Sequence, residues 1–294
     1  MSLRCRLFQT LTGLFCLIIL CSLPARAEVY EFDLTDKVDP RYFRVFGSQG
    51  SEQFTELTDE GVRIAITSTE ENRVQPSGII SRFGLNGDFT ITGTFKITEM
   101  EIPKRGYGAG AKMMLEEASG FCARLERINR PRYGEVFKAQ LGVPAPPEPG
   151  DRDQNRRSFS QDHIPAKSKS GKLRLKREGD QLIWLAADGE NETFQELRKE
   201  NFSKGRITDL SLAGQTGLAA GMVELYWTHL TIEVDNLPEP ELPAPEPESR
   251  PTETANNPTP QSTPTHNNIN YWNWMIGAGI ALLVGCIGYL IFKK

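Results

Sequence analysis

Few residues in this chain are equipped for chemistry, and their spacing narrows the choice further. Histidine occurs three times, at His163, His229 and His266, so a histidine metal cage or a Ser-His-Asp triad has almost nothing to be built from. Asp151, Asp153 and Asn155 alternate along one loop and can present oxygens to calcium. The match to a calcium-hand loop stops there, because Arg156 stands where glycine is needed and Asp162 where the bidentate glutamate belongs. A solvated polar loop is the competing reading of the same residues.

Binding draws on different side chains. An exposed aromatic ring with polar neighbours can stack on a sugar face, and Tyr107 and Tyr133, the latter flanked by Arg130 and Arg132, have that form. Read without a ligand, Tyr133 is a turn residue after Pro131. The run Gly106-Tyr107-Gly108-Ala109-Gly110 is then a flexible turn. It joins two expected strands and so lacks the strand-to-helix setting of a phosphate loop. Trp184 and Trp227 alternate with apolar residues and read as core. Cys122 is the lone cysteine of residues 28–236, which leaves no internal disulfide and makes a buried small hydrophobe the simplest reading. A formal net charge of −4 gives no reason to expect a nucleic-acid partner.

The elements that must position these residues announce themselves by alternation. Ile91, Gly93, Phe95 and Ile97 share one parity and Thr90, Thr92, Thr94, Lys96 and Thr98 the other, which describes a strand buried on one side. Leu173 and Leu175 alternate with Arg174 and Lys176. Glu178-Gly179-Asp180 then turns the chain into Leu182, Trp184 and Ala186, a hairpin. Val223, Leu225 and Trp227 share one parity whereas Leu230, Ile232 and Val234 share the other, so a bulge is expected at Thr228-His229. Further strands are expected near 28–34, 41–46, 61–67, 77–83, 109–117, 121–128, 134–141 and 206–213. The segment 193–202 is the one candidate helix, and 143–164 reads as a long loop where a site could lie. About a dozen strands without helical crossovers imply two antiparallel sheets packed face to face, a jelly-roll sandwich.

The two ends of the chain carry a different message. Arg4 and Arg6, an apolar stretch over 11–23 and Ala25-Arg26-Ala27 form the three regions of an export signal, with cleavage expected after Ala27. Cys16 and Cys21 follow bulky Phe15 and Leu20, which argues against lipidation. At the other end, the run 274–292 opens on Trp274, closes on Phe292, and contains no charge or proline over nineteen residues. As a helix it would span about 28 Å. Tyr271, Trp272 and Trp274 at one edge, and Lys293 and Lys294 at the other, place the amino-terminal side outside the cytoplasm. Gly277, Ala281 and Gly285 recur every four residues and would permit a helix-mediated dimer. Residues 237–268 hold nine of the nineteen prolines and read as an extended stalk. The expected order is therefore a signal peptide (1–27), an extracytoplasmic domain (28–236), a Pro-rich stalk (237–270), a single membrane helix (271–292) and a two-residue cytoplasmic tail (293–294).

The run 171–235, with Leu173-Arg174-Leu175-Lys176-Arg177-Glu178-Gly179, Leu210-Ser211-Leu212 and Val223-Glu224-Leu225-Tyr226-Trp227, resembles the carboxy-terminal half of concanavalin A-like lectin and glucanase sandwiches. More narrowly, 87–100 and the later hairpins are similar to an exported planctomycete family described only as a domain of unknown function. The resemblance rests on strand pattern and implies a fold; such folds host unrelated functions. Laminarinase-like members of that superfamily carry a Glu-x-Asp-x-(x)-Glu strand that sets an acid and a nucleophile on one face. Glu31-Phe32-Asp33 is the nearest fragment here, without a third carboxylate at Thr35, and Asp36 would reach that place only through a bulge. Glu116-Glu117 fails because neighbours on a strand face opposite ways. The favoured expectation is a non-enzymatic surface module binding a glycan or a surface protein. A glycan-processing hydrolase and a structural element of a surface layer are the alternatives.

Overall fold

The computed structural model describes residues 27–47, 50–146 and 157–240. The expected signal peptide, the calcium candidates Asp151, Asp153 and Asn155, most of the expected stalk and the expected membrane segment lie outside the described residues.

Alternating burial shapes the described chain into strands β1 (Glu28–Asp33), β2 (Phe43–Phe46), β3 (Thr55–Thr58), β4 (Gly61–Ser68), β5 (Ser77–Ser81), β6 (Phe89–Met100), β7 (Ala109–Glu117), β8 (Cys122–Arg130), β9 (Gly134–Pro144), β10 (Arg157–Pro165), β11 (Ser170–Glu178), β12 (Gln181–Ala187), β13 (Gln195–Asn201), β14 (Ile207–Gln215) and β15 (Gly221–Val234), with one 3-10 turn at Ser51–Phe54. An eight-stranded sheet runs β13-β12-β11-β6-β15-β4-β3, with β1 also paired to β15. A seven-stranded sheet runs β10-β9-β8-β7-β14-β5-β2. Every strand pairing is antiparallel. The expected two-sheet jelly-roll sandwich is the architecture found.

Its core is the set of inward parities from both sheets. Ile91, Phe95, Leu173, Leu175, Leu225 and Trp227 from one sheet meet Met113, Leu115, Ala123, Leu125, Ala139 and Leu212 from the other, all buried. The register of β15 slips between Trp227 and His229, as the parity change requires. That bulge has a further role: β4 pairs with β15 as far as Trp227, and β1 takes over from His229. One flank of a long central strand thus serves two partners. Gly93 leaves room for the Trp227 indole, since a Cβ there would sit 2.9 Å from the ring. The hairpin β11–β12 closes on Glu178 opposite Gln181, with Gly179 in the left-handed region at φ 60°.

Two expectations are corrected. The helix expected at 193–202 is instead the edge strand β13, paired with β12 from Gln181↔Asn201 to Ala186↔Gln195. Gln195-Glu196-Leu197-Arg198-Lys199-Glu200-Asn201 favours helix by local propensity, but ladder hydrogen bonds to β12 and the packing of Leu197 on the core override it. The loop expected at 143–164 shrinks, because β9 continues to Pro144 and β10 occupies Arg157–Pro165 as the other sheet's edge. The Glu31-Phe32-Asp33 fragment lies on β1, where Glu31 and Asp33 are exposed and Asp33 accepts hydrogen bonds from its neighbour Thr35.

Candidate functional site

The outer face of the seven-stranded sheet carries the site. Strand register sets four side chains in one row across it: Lys112 on β7 lies opposite Glu126 on β8, Glu126 opposite Lys138 on β9, and Lys138 opposite His163 on β10. The next row runs Met114, Arg124, Gln140 and Gln161. These are outward parities, yet Lys112, Glu126, Lys138 and Gln140 are all at least nine-tenths buried. They form the floor of a hollow of about 560 Å³. Beneath it, the two buried tryptophans of the opposite sheet fix the floor from below: Trp184 Nε1 donates to the Arg124 carbonyl at 3.1 Å and Trp227 Nε1 to the Ala213 carbonyl at 3.3 Å.

Charge in this floor is unbalanced. Lys138 Nζ donates to Glu126 Oε2 at 2.7 Å and Gln215 Nε2 donates to Glu126 Oε1 at 3.1 Å, so both oxygens of that carboxylate are engaged. Lys112, Arg124 and Arg130 also line the hollow. Four cations therefore face one carboxylate among the described lining residues. The Lys112 side chain makes no hydrogen bond to a described residue, and burial pushes its ammonium down to about 8; Glu126 opposes that shift, while Arg124 and Lys138 reinforce it. The Gln140 Oε1, Arg124 Nε and Arg130 Nε atoms are buried without a partner among the described residues. Buried polar atoms left open in this way cost stability unless a further group meets them.

The rim is apolar and aromatic. Phe159 on β10 packs against Gly142 of the neighbouring strand, where a Cβ would come within 2.7 Å of its ring. The Arg124 guanidinium sits 5.0 Å from its centroid. The opposite wall is made where two loops touch: Tyr107 N donates to the Gly217 carbonyl at 3.2 Å, and Gly217 has no room for a side chain because Gly108 N would lie 2.6 Å from it. Next to it Leu218 holds φ at 60°, the one non-glycine residue in the left-handed region among those described. A bulky residue tolerates that conformation only where its surroundings enforce it, and here it lines the hollow.

The binding candidates named from sequence divide between two neighbouring places. Tyr107 is 64% exposed on the wall of this hollow, and Arg130 lines it as well. Arg130 also lines a second hollow of about 390 Å³, together with Lys104, Arg105, Arg132 and Tyr133. Tyr133 is 56% exposed, but its ring stacks on His163 with centroids 4.6 Å apart and planes 7° from parallel. Arg130 lies 4.9 Å from the Tyr133 centroid and donates to His163 Nε2 at 2.5 Å. Burial, then the Arg130 charge, holds His163 below its ordinary range, so the ring is a neutral acceptor at physiological pH. Tyr107, by contrast, makes no ring contact with a described residue. No cluster of three or more histidine, cysteine or carboxylate side chains suited to a metal occurs among the described residues. Cys122 is buried, with its Sγ against Gly142.

Sequence reasoning missed Lys112, Glu126, Lys138, Arg124 and Gln140. The signal was present in part: Arg124, Glu126, Ile128 and Arg130 alternate with the core residues Ala123 and Leu125. It identifies an outward face without saying that the face is hollowed.

The sandwich is the concanavalin A-like fold of lectins and glycanases. It aligns with a structure described with the endo-acting O-glycanases that prominent members of the human gut microbiota express to initiate mucin breakdown, at TM-score 0.51 and 10% identity over 70% of this chain and 98% of that one. It is also similar to the exoplasmic/lumenal domain of VIP36 in a Ca2+/Man2-bound form, at TM-score 0.47 and 11% identity over 71% of this chain and 89% of that one. A third is a legume lectin-like domain from Entamoeba histolytica, at TM-score 0.46 and 12% identity over 68% and 95%. At such identities the likeness is one of fold. No curated protein matches the chain. Residues 19–272 match the family described as protein of unknown function (DUF1583) C domain, and the chain belongs to that family.

Proposed function

We propose that this chain is a membrane-anchored extracytoplasmic module that binds a glycan in the hollow on its seven-stranded sheet and does not cleave it. The observation that supports the reading is the hollow itself: a buried polar floor with open hydrogen-bonding atoms, walled by Phe159 and the exposed ring of Tyr107. An apolar wall for the face of a sugar ring, with fixed polar groups for its substituents, is what a carbohydrate site requires. The place outside the cytoplasm rests on the sequence alone, on the export signal and the run 274–292.

Retention is favoured over hydrolysis by the carboxylates. Hydrolysis by the usual route takes a pair of them about 5–10 Å apart. Glu126 is the one carboxylate in the described lining, and Lys138 and Gln215 hold both its oxygens. The test is to apply the full-length chain in detergent to a glycan array and analyse the bound glycan by mass. Intact retained sugar is expected. Shortened products would instead make the chain a hydrolase, and silence over neutral and acidic glycans alike would contradict a glycan-binding role.

A further inference from the structure

Resting on that reading, we infer that the glycan is anionic: an oligosaccharide carrying carboxylate or sulfate groups, long enough to cross Arg130 from the inner hollow into the outer one. The inventory of donors and acceptors carries the inference. A neutral sugar presents hydroxyls that both donate and accept, and is best met by a mixture of both kinds of group. Lysine and arginine can only donate. In the inner hollow Lys112, Lys138, Arg124 and Arg130 supply cationic donors, the acceptor capacity of Glu126 is engaged by Lys138 and Gln215, and the one buried acceptor left open among the described lining residues is the neutral Gln140 Oε1. The complement of a donor-rich floor is a group that only accepts, and a carboxylate or sulfate half-ester is such a group.

Burial points the same way. An ammonium at the position of Lys112 gives up most of its hydration on folding and finds no hydrogen-bond acceptor among the described residues. An entering anion would provide that acceptor, offsetting a desolvation that the free protein already bears, so the charge pair forms at lower cost than on an open surface. Outside Arg130, the second hollow adds Lys104 and Arg132, neither with an ion-pair partner among the described residues, whereas Arg105 is paired with Glu70. A single small anion would have no use for both hollows. A chain with repeated anionic groups would use each, with Tyr107 on the wall of the inner one for a ring face.

The experiment measures binding of the full-length chain in detergent to four probes: a neutral β-glucan, an oligouronate, a sulfated glycosaminoglycan oligosaccharide and poly-glutamate. Either acidic glycan, or both, is expected to bind at least about tenfold more tightly than the β-glucan, with an affinity that falls as salt rises. The oligomer is expected to bind more tightly than its monosaccharide. Arg124→Gln and the exposed Arg132→Ala are each expected to lower affinity for the acidic glycan by about fivefold or more. Arg63→Ala, on the other sheet, should not change it. Binding of the β-glucan alone would overturn this inference and leave the glycan reading standing, whereas failure of all three glycans would overturn both. Equal binding of poly-glutamate would show charge without sugar recognition, and acidic-glycan binding untouched by either arginine variant would place it elsewhere; each contradicts the inference.

Discussion

The outer faces of the two sheets bear similar residue types and treat them differently. On the eight-stranded sheet, Arg63 reaches Glu224 at 2.8 Å and Glu56 at 2.7 Å, Lys176 reaches Glu178 at 2.6 Å, and Arg174 Nε donates to Thr92 Oγ1 at 2.8 Å. Those charges are met by partners across or along the strands and remain partly exposed. On the seven-stranded sheet, Lys112, Glu126 and Lys138 are buried with cations in excess, and several polar atoms stay open. Neighbouring loops and the edge strand β10 make the difference, by raising walls around one face only. A face whose charges are solvated and paired needs no explanation beyond solubility; a face that buries unbalanced charge at the expense of stability does.

The comparison breaks most readily at Glu126. Glu126→Gln leaves Lys138 without its carboxylate beside an already desolvated Lys112, and is expected to lower unfolding free energy by about 3–5 kcal/mol. Urea denaturation monitored by tryptophan fluorescence would measure it, and a loss below about 1 kcal/mol would mean that the row is better solvated than its burial implies.

A second effect is pH-dependent. Below pH 8 Lys112 is protonated in both folded and unfolded chains and the penalty for burying its charge is fully present. Between about 8 and 10.5 the unfolded chain holds the proton and the folded chain has released it, so stability rises with pH across this window. The gain attributable to Lys112 is on the order of 3 kcal/mol. It should be seen as the difference between the pH–stability curves of the natural chain and Lys112→Met, and parallel curves would contradict it.

Smaller changes sharpen the contrast. Gly142→Ala places a methyl against Phe159 and Cys122 and is expected to cost about 1–3 kcal/mol by overpacking, while displacing the aromatic rim and weakening glycan retention. On the opposite face, Arg63→Ala removes two partly exposed ion pairs and should change stability by less than about 1 kcal/mol. It should leave retention as it was, and a loss of retention would move the site to the wrong sheet.

The sequence was legible where burial is one-sided. β6, the β11–β12 hairpin and the bulged β15 alternate because each packs one face on the core, and a parity change at Thr228-His229 has few explanations other than a bulge. β3, β10 and β13 escaped notice because they are short or exposed edge strands whose identity comes from their neighbours' open ladder groups. The site divides along the same line. Tyr107 and Arg130 were open to naming as candidates by residue type, the one as an aromatic in a glycine-rich turn and the other as a cation flanking Tyr133; that both line one hollow was not. Lys112 could not, because its burial depends on side chains from neighbouring strands and loops that line the same hollow, and alternation says only which way it faces. Nor could the stacking of Tyr133 on His163, residues thirty positions apart that β10 brings together.

The most direct test of the account measures stability and binding together in Lys112→Met, a change of similar volume that removes the charge and keeps the stem. If the hollow keeps a buried ammonium for the sake of a ligand, the variant should be more stable at pH 7 by about 1–3 kcal/mol and should lose retention of acidic glycan. A variant that is no more stable and binds as before would show that the cationic floor belongs to the fold and not to a site.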